Sequence, residues 1–524
     1  MTANVAASYQ DAKIGAWIPS PGSADADLLQ EQRIIYSRAR DLVRNNPIGA
    51  GATQTFADNV IGSQLRLSSQ PKYRLLGWEK SQASEWANQT EDQFESWANT
   101  TECDAARTQT LMDLSIQALK SALVNGDALA LVMWLPRKEA QWSTRLQMVE
   151  ADRLATPPHL INSKYLRGGV EIDDYGAPVA YWINRNHPGD MFGNIVNNPL
   201  DFVRVPAFTP WGRRRVIHLY DKERSGQSRG KSIFAAVMRE FKVAGDYLGH
   251  ELHAAASNAM IAAFLESDLP SESVAELFGT DTSEGGYWKG VSDKFNRKKL
   301  ESGMMLTLPV GTKLSGYNPN RPNTAFDGFM ESVMRHIAAG LNMPYELLLK
   351  DFSKTNYSSA RAALLEAWRF FQSKRAWLKN LWLDPIYACW IEEAVNTDKI
   401  QAPDYYANRH AYHGCRWVFS GRGWVDPVKE AKAAQMRMDM GLSTQEAECA
   451  EQGTDWEDVQ DQRIRELSRA IKHCQQAGLS ESAAYIIAGF DLSGNPSDIS
   501  AYYNEPDNAP GNDATQQEQA NADA

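Results

Sequence analysis

The octapeptide Ser225-Gly226-Gln227-Ser228-Arg229-Gly230-Lys231-Ser232 follows the apolar run 215–220 and precedes a long stretch with few helix breakers. That is the strand-loop-helix setting of a phosphate-binding loop. Such a loop needs G-x-x-x-x-G-K-[ST], because glycines let backbone N–H groups curl round the phosphates while the lysine reaches the outer ones. Ser225 stands where the first glycine belongs, so the octapeptide reads as a tight turn leading into a helix. His250-Glu251-Leu252-His253 has its histidines three apart rather than four, with no third ligand to complete a zinc site. His410, His413 and Cys415 sit close together in an aromatic-rich run, yet no fourth ligand of matching spacing follows. The 65 acidic residues show no spacing that would make a carboxylate pair converge. No cofactor, no metal and no catalytic residue is assigned.

A different chemistry is offered by Lys350-Asp351-Phe352-Ser353-Lys354-Thr355-Asn356-Tyr357-Ser358-Ser359, short, polar and carrying one central cation. Two helices must position it. The first starts after Asn323 or Thr324, keeps Phe326, Phe329, Met330, Val333, Ile337 and Leu341 on one stripe, and is closed by Pro344. The second opens at Ser358 or Ser359, whose hydroxyls suit an N-cap, and runs through Leu364, Trp368, Phe371 and Leu378 until Asp384-Pro385 breaks or kinks it. Arg361, Arg369, Arg375 and Lys379 fall near one side of that helix. A solvated or salt-bridged face is the favoured reading, and a DNA-contacting basic face the sharper one.

The chain has 524 residues, 43% hydrophobic and 23% charged, enough for several folded domains. Its net charge of -11 argues against general adhesion to DNA or a membrane surface, since a protein that grips phosphates carries a basic excess. The five cysteines contain no C-x-x-C pair, so neither a disulfide framework nor a cysteine zinc site is indicated, and a reducing, cytosolic site of assembly fits. No apolar run has the length of a signal peptide or a membrane span.

In chain order, residues 1–27 read as a flexible arm and 28–46 as a helix ended by Asn45-Asn46-Pro47. A strand at 64–68 and helices at 79–97 and 107–124 follow, then strands at 128–135, 145–151, 168–173, 178–184 and 215–220, with Asp174-Tyr175-Gly176 as a hairpin loop. Helices then strands make this an α+β region, without the regular alternation of a doubly wound nucleotide-binding fold. Residues 232–266 read as one helix of roughly 50 Å at 1.5 Å per residue. Its alanine-rich end and Gly245-to-Gly249 spacing suit close packing between subunits. Residues 267–318 read as a small insertion at the tip of a helix pair, including a basic run at 294–299. Helices start at Asp426-Pro427, at Ser443-Thr444 and at Trp456, and the tail from 504 is low in apolar residues.

Four segments occur in one order: RARDLVRNNPIGAGATQTFADNVIGSQLRL, GQSRGKSIFAAVMREFKVAGDYLGHEL, IAAGLNMPYELLLKDFSKTNYSSARAALLEAWRFF and VKEAKAAQMRMDMGLSTQEAECAEQG. Together they resemble the portal proteins of lambda-like tailed phages, over roughly residues 30 to 470. The resemblance implies an α+β, portal-type ring subunit with an α+β wing, a long-helix stem, a small α/β clip inserted between the stem helices and a helical crown. The implied boundaries are an arm at 1–27, wing at 28–225, first stem helix at 226–266, clip at 267–318 and second stem helix at 319–348. A tunnel loop at 349–359, a long wing helix at 360–400, a crown at 401–480 and a largely disordered tail at 481–524 complete the set.

The same resemblance implies a homo-dodecameric ring at the capsid vertex, through which DNA is packaged and ejected. It assigns Lys354, Thr355, Asn356, Tyr357 and Ser358 to a tunnel loop lining the DNA channel, and Gly226, Arg229 and Gly230 to the turn into the first stem helix. Implied partners are double-stranded DNA in weak, non-specific transit, the terminase large subunit, head-completion and tail proteins, and the major capsid and scaffold proteins. The implied locations are the virion and, during assembly, the host cytoplasm. The alternatives in another class are a P-loop-like packaging ATPase and a metal-dependent nuclease.

Overall fold

A computed structural model describes residues 12–13, 15–19, 21–190, 201–260, 264–267, 312–315, 326–421 and 426–477. Helices α1 (Ala24–Leu29), α2 (Gln32–Asn45) and α3 (Pro47–Val60) open the fold. The predicted stop at Asn46-Pro47 is also a start: the Asn46 side-chain oxygen accepts from the N–H groups of Ile48 and Gly49 at 3.0 and 3.2 Å. Pro47 sits in the first turn of α3, where its missing N–H leaves no bond unmade. Strand β1 (Leu65–Ser69) and helices α4 (Tyr73–Leu76), α5 (Lys80–Ala98) and α6 (Leu111–Asn125) follow.

The predicted strands form as β2 (Asp127–Trp134), β3 (Thr144–Val149), β5 (Val170–Ile172), β6 (Pro178–Asn184) and β8 (Val216–Tyr220), joined by two that were not foreseen, β4 (Leu166–Arg167) and β7 (Phe202–Pro206). One antiparallel sheet has the order β3-β2-β8 and the other β4-β5-β6-β7. Asp173 accepts from the N–H groups of Tyr175 and Ala177 at 2.9 and 2.8 Å, and Gly176 takes φ +82, which makes the predicted hairpin loop between β5 and β6.

Helix α7 (Met238–Met260) begins later and ends earlier than predicted, a length of about 35 Å. Residues 232–237 make turns that bury Phe234 and Val237, and β9 (Phe264–Ser267) replaces the expected last turn by pairing with β10 (Thr312–Ser315). The rest of 267–318, with its basic run, lies outside the described residues, as does the tail at 481–524. Helix α8 (Phe326–Gly340) packs on α7 through Tyr247, whose ring lies 5.6 and 5.1 Å from those of Phe326 and Phe329. Next come α9 (Tyr345–Leu349), α10 (Tyr357–Leu378), a π turn (Lys379–Leu383) and α11 (Asp384–Asn396). Pro385 therefore does not break the helix. The turn before it widens so that Asp384 N–H reaches Lys379 O, which absorbs the missing donor and the ring of the proline.

Helix α12 (Arg409–Tyr412) and β11 (Cys415–Phe419) come next. Strand β11 pairs antiparallel with β1, Leu65 opposite Phe419, and the Tyr412 ring packs against those of Trp78 and Trp86 at 5.6 and 5.5 Å. Residues up to Pro427 thus belong to the first of two compact units. Its main core runs from α3, α5 and α6 to α10 and α11. At its centre Phe94 meets Trp390 and Trp417 at 5.0 and 5.8 Å, edge to face.

The second unit, Val428–Ala524, holds nearly all of α13 (Pro427–Asp439), then α14 (Gln445–Glu451) and α15 (Trp456–Gln476). Gly441 turns the chain at φ +68 and Thr444 caps α14 by accepting from Ala447 N–H at 3.2 Å. Arg437 clamps Glu448 with two hydrogen bonds of 2.9 and 2.7 Å, which holds α13 to α14.

Candidate functional site

The polar loop between α9 and α10 is fixed at both ends and exposed between them. Lys350 ends α9 in the left-handed conformation, φ +56, and Asp351 N–H returns to Glu346 O at 3.0 Å. At the far end Asn356, not Ser358 or Ser359, caps α10: its side-chain oxygen accepts from Ser359 N–H at 2.8 Å. Tyr357 and Ser358 therefore lie in the first turn of the helix. Thr355 Oγ1 donates to Glu346 at 3.3 Å, and Asp351 accepts from Ser353 N–H at 3.0 Å. Hydrogen bonds from Ser353, with help from the Lys354 charge, hold the Asp351 carboxyl below the usual carboxylate range. The Lys354 side chain is 72% exposed and stands 3.6 Å from Glu331 on α8, so its charge is partly answered within the chain.

Arg361, Arg369, Arg375 and Lys379 do not share one environment on α10. Arg361 is half-buried and Arg369 exposed, but Arg375 is 8% exposed and its guanidinium donates to the carbonyls of Val60, Asn59 and Ser420 at 2.8, 2.9 and 2.8 Å. It is sandwiched by Trp368 and Phe419, at 4.6 and 5.1 Å, and burial lowers its pKa to about 10. Two of those carbonyls end α3, where a cation meets the negative end of the helix dipole. Lys379 pairs with Asp384 at 2.8 Å. Spacing put the four on one side; the fold then used one as a clamp and another as an ion-pair partner.

The turn before α7 is organised by Arg229, which is fully buried. Its Nε donates to Asp127 at 2.7 Å, Nη1 to the carbonyls of Leu154 and Gly168 at 2.7 and 2.6 Å, and Nη2 to Ala151 O and Tyr36 OH at 3.0 and 3.2 Å. Every N–H of the guanidinium is matched. Asp127 opens β2 and accepts in addition from Tyr36 OH at 2.6 Å and Gly230 N–H at 2.7 Å, with His218 Nε2 at 2.9 Å. Although burial works the other way, Arg229, His218 and Tyr36 hold the Asp127 carboxyl well below its ordinary range. Burial above all raises the Tyr36 hydroxyl well above its own. Gly230 lies back to back with Gly126, itself at φ +87: a Cβ on either would strike the other's backbone. Gly226, in contrast, faces open space.

This arrangement removes the phosphate-loop reading. Ser228 N–H is taken by Asp25 at 2.8 Å and Gly230 N–H by Asp127, while Lys231 turns outward to Glu223 at 2.7 Å. Tyr36, Asp127 and His218 were not singled out by sequence reasoning. The available signal was an acid leading an apolar strand in Asn125-Gly126-Asp127-Ala128-Leu129, since a carboxylate there is buried and needs a cation.

Of the remaining histidine and cysteine candidates, His413 and Cys415 are engaged in packing, while His410 is exposed. His413 Nε2 lies 2.9 Å from Tyr405 OH, and burial, with Arg409 nearby, pushes its pKa down to about 4. Burial and Asp384 push the Cys415 thiol up to about 12. His250 and His253 are exposed on α7, and among the described residues no three His, Cys, Asp or Glu side chains converge as metal ligands.

The family model for phage portal proteins of the lambda family matches residues 10–375. Portal protein B of Escherichia phage lambda is 30% identical over 470 residues, which cover 87% of this chain and 87% of that protein. The portal protein of Escherichia phage N15 is 30% identical over 470 residues, with 87% of each covered. Among solved structures, a chain in the virion of a native gene transfer agent particle is 13% identical with a TM-score of 0.43, covering 81% of this chain and 93% of that one.

Proposed function

The chain belongs to the lambda family of phage portal proteins, and from that premise we propose that its copies assemble into a twelve-membered ring at the capsid vertex, around the path of the DNA. The observation that carries this reading is the 30% identity to the lambda portal protein across 87% of both chains. In this reading the body up to about residue 225, with the α10–α11 helical run, is the wing, and α7 and α8 are the stem. Residues 267–318 are the clip, and the helices after Pro427 form the crown. The loop from Lys350 to Asn356 faces the channel, where Lys354, Thr355, Asn356, Tyr357 and Ser358 meet passing phosphates. The ring docks the terminase large subunit during packaging and head-completion and tail proteins afterwards, with capsid and scaffold proteins around it. Its subunits gather in the host cytoplasm and end in the virion. The role is architectural rather than catalytic.

An exposed lysine already 3.6 Å from Glu331 makes weak and exchangeable phosphate contacts, which suits a surface that DNA must slide across. Two measurements test the proposal. Negative-stain imaging of the purified chain is expected to show rings with a central hole, and a compact monomer at all concentrations would refute the assembly. Deleting Ser353 to Ser358 should leave rings intact while packaging or retention of DNA in assembled heads falls; normal packaging by this deletant would refute the channel role of the loop.

A further inference from the structure

Between the turn joining β7 to β8 and the helices α11 and α12 lies a cleft of about 250 Å³, to whose wall Phe208, Arg213, Arg214, Glu392 and Arg409 contribute. Glu392 is 4% exposed, and its Oε1 has no hydrogen-bond partner. The nearest cationic atoms are Arg213 Nε, 4.0 Å from Oε2, and Arg409 Nη2, 3.8 Å from Oε1, both beyond hydrogen-bond reach. Arg409 Nε is likewise buried and unmatched. A bare acceptor and a bare donor therefore border one small cavity, and each would be costly to leave unmade.

The cations around it are held by stacking. Arg213 lies over Trp134 at 5.5 Å, Arg214 over Phe208 at 5.0 Å and Arg409 over Tyr406 at 4.5 Å. Stacking occupies the face of a guanidinium and leaves its N–H edge available. Arg213 uses part of that edge on Thr144 Oγ1 at 2.6 Å, whereas the Arg214 side chain makes no hydrogen bond among the described residues. The cleft's other acid, Asp384, is engaged by Lys379 at 2.8 Å and by Trp417 Nε1 at 2.9 Å. Three guanidinium groups thus surround a single carboxylate without a direct partner, an excess that draws an anion.

An anion without a proton would face the Glu392 oxygen acceptor to acceptor. We propose that the cleft binds a protonated oxyanion, inorganic phosphate, whose charged oxygens accept from Arg214 and Arg409 while its P–OH donates to Glu392 Oε1. Phosphate keeps at least one proton in both of its forms near neutral pH. Sulfate keeps none, and a phosphodiester within DNA keeps none, so the carboxylate selects against both.

The test is calorimetric titration of the full-length protein near neutral pH with inorganic phosphate and with sulfate at matched ionic strength. Saturable phosphate binding is expected, at least about tenfold tighter than sulfate, the scale of one mismatched buried hydrogen bond. Glu392→Gln, whose carboxamide can donate to either anion, should bring that ratio close to one. Arg214→Gln, at a half-buried position, should weaken both anions. Phenyl phosphate, whose second pKa of about 6 leaves it mostly without a P–OH near neutral pH, should bind more weakly than inorganic phosphate, and equal affinity for the two would overturn the role of the P–OH. Absence of saturable phosphate binding, equal binding of the two anions by the unaltered protein, or a ratio unchanged in Glu392→Gln would each overturn the assignment.

Discussion

Arg229 and Asp127 show how one buried pair can fix the junction of several elements. The pair joins β2 to the turn before α7, Tyr36 brings in α2, His218 brings in β8, and three backbone carbonyls close the shell. A buried ion pair is weak evidence of stability on its own, because desolvation offsets much of the attraction, but removing one partner strands the other. Asp127→Asn is therefore expected to cost about 3 to 5 kcal/mol of unfolding free energy, read as a lower midpoint in denaturant titration. A loss below about 1 kcal/mol, the size of an ordinary single hydrogen bond, would show that the network is not the anchor argued here. The arginine-glycine pair in the octapeptide was visible in the sequence; its chemistry was not. Residues 229 and 127 are far apart in the chain, and only the fold shows that the loop's N–H groups already have partners.

Elements were legible where local signals agreed with burial. Helix α8 follows the apolar stripe that begins at Phe326, α13 and α14 start at their proline and hydroxyl signals, and α15 starts at Trp456 behind an Asp455 cap. Helix α3 was not foreseen, since Gly49, Gly51, Thr53 and Thr55 lower its intrinsic propensity, and it persists because Ala52, Phe56 and Val60 are buried. The pairing of β11 with β1 joins segments about 350 residues apart, a non-local contact that no window of sequence can display. The start of α10 was misplaced by two residues because its neighbours offer hydroxyls while Asn356 supplies the cap. Replacing Asn356 with Ala should cost about 1 kcal/mol at that end, the usual worth of an N-cap. Hydrogen exchange is the direct measurement: the Ser359 amide should lose protection while amides in the middle of α10 keep theirs. Unchanged exchange at Ser359 would mean the first turn is held by packing instead.

At the scale of the whole molecule, the charge balance and the loop make one argument. A chain with a net charge of -11 repels DNA at long range, so contact within a ring has to come from a few cations placed on the path. In the proposed ring Lys354 is such a cation, and Glu331 on α8 stands 3.6 Å from it, also accepting from Arg335 at 2.9 Å. In that reading the carboxylate competes with passing phosphate for the lysine, which shortens each contact and lets the duplex move. Glu331→Gln removes that competitor with little change of shape, so rings of this variant should retain duplex DNA more strongly, with a steeper dependence on salt as more phosphates are neutralised. Packaging by the variant should slow in proportion to that retention. Equal retention and an equal salt slope in variant and unaltered rings would place Lys354 away from the DNA path, and the loop would then be a structural link between α9 and α10 rather than a surface for transit.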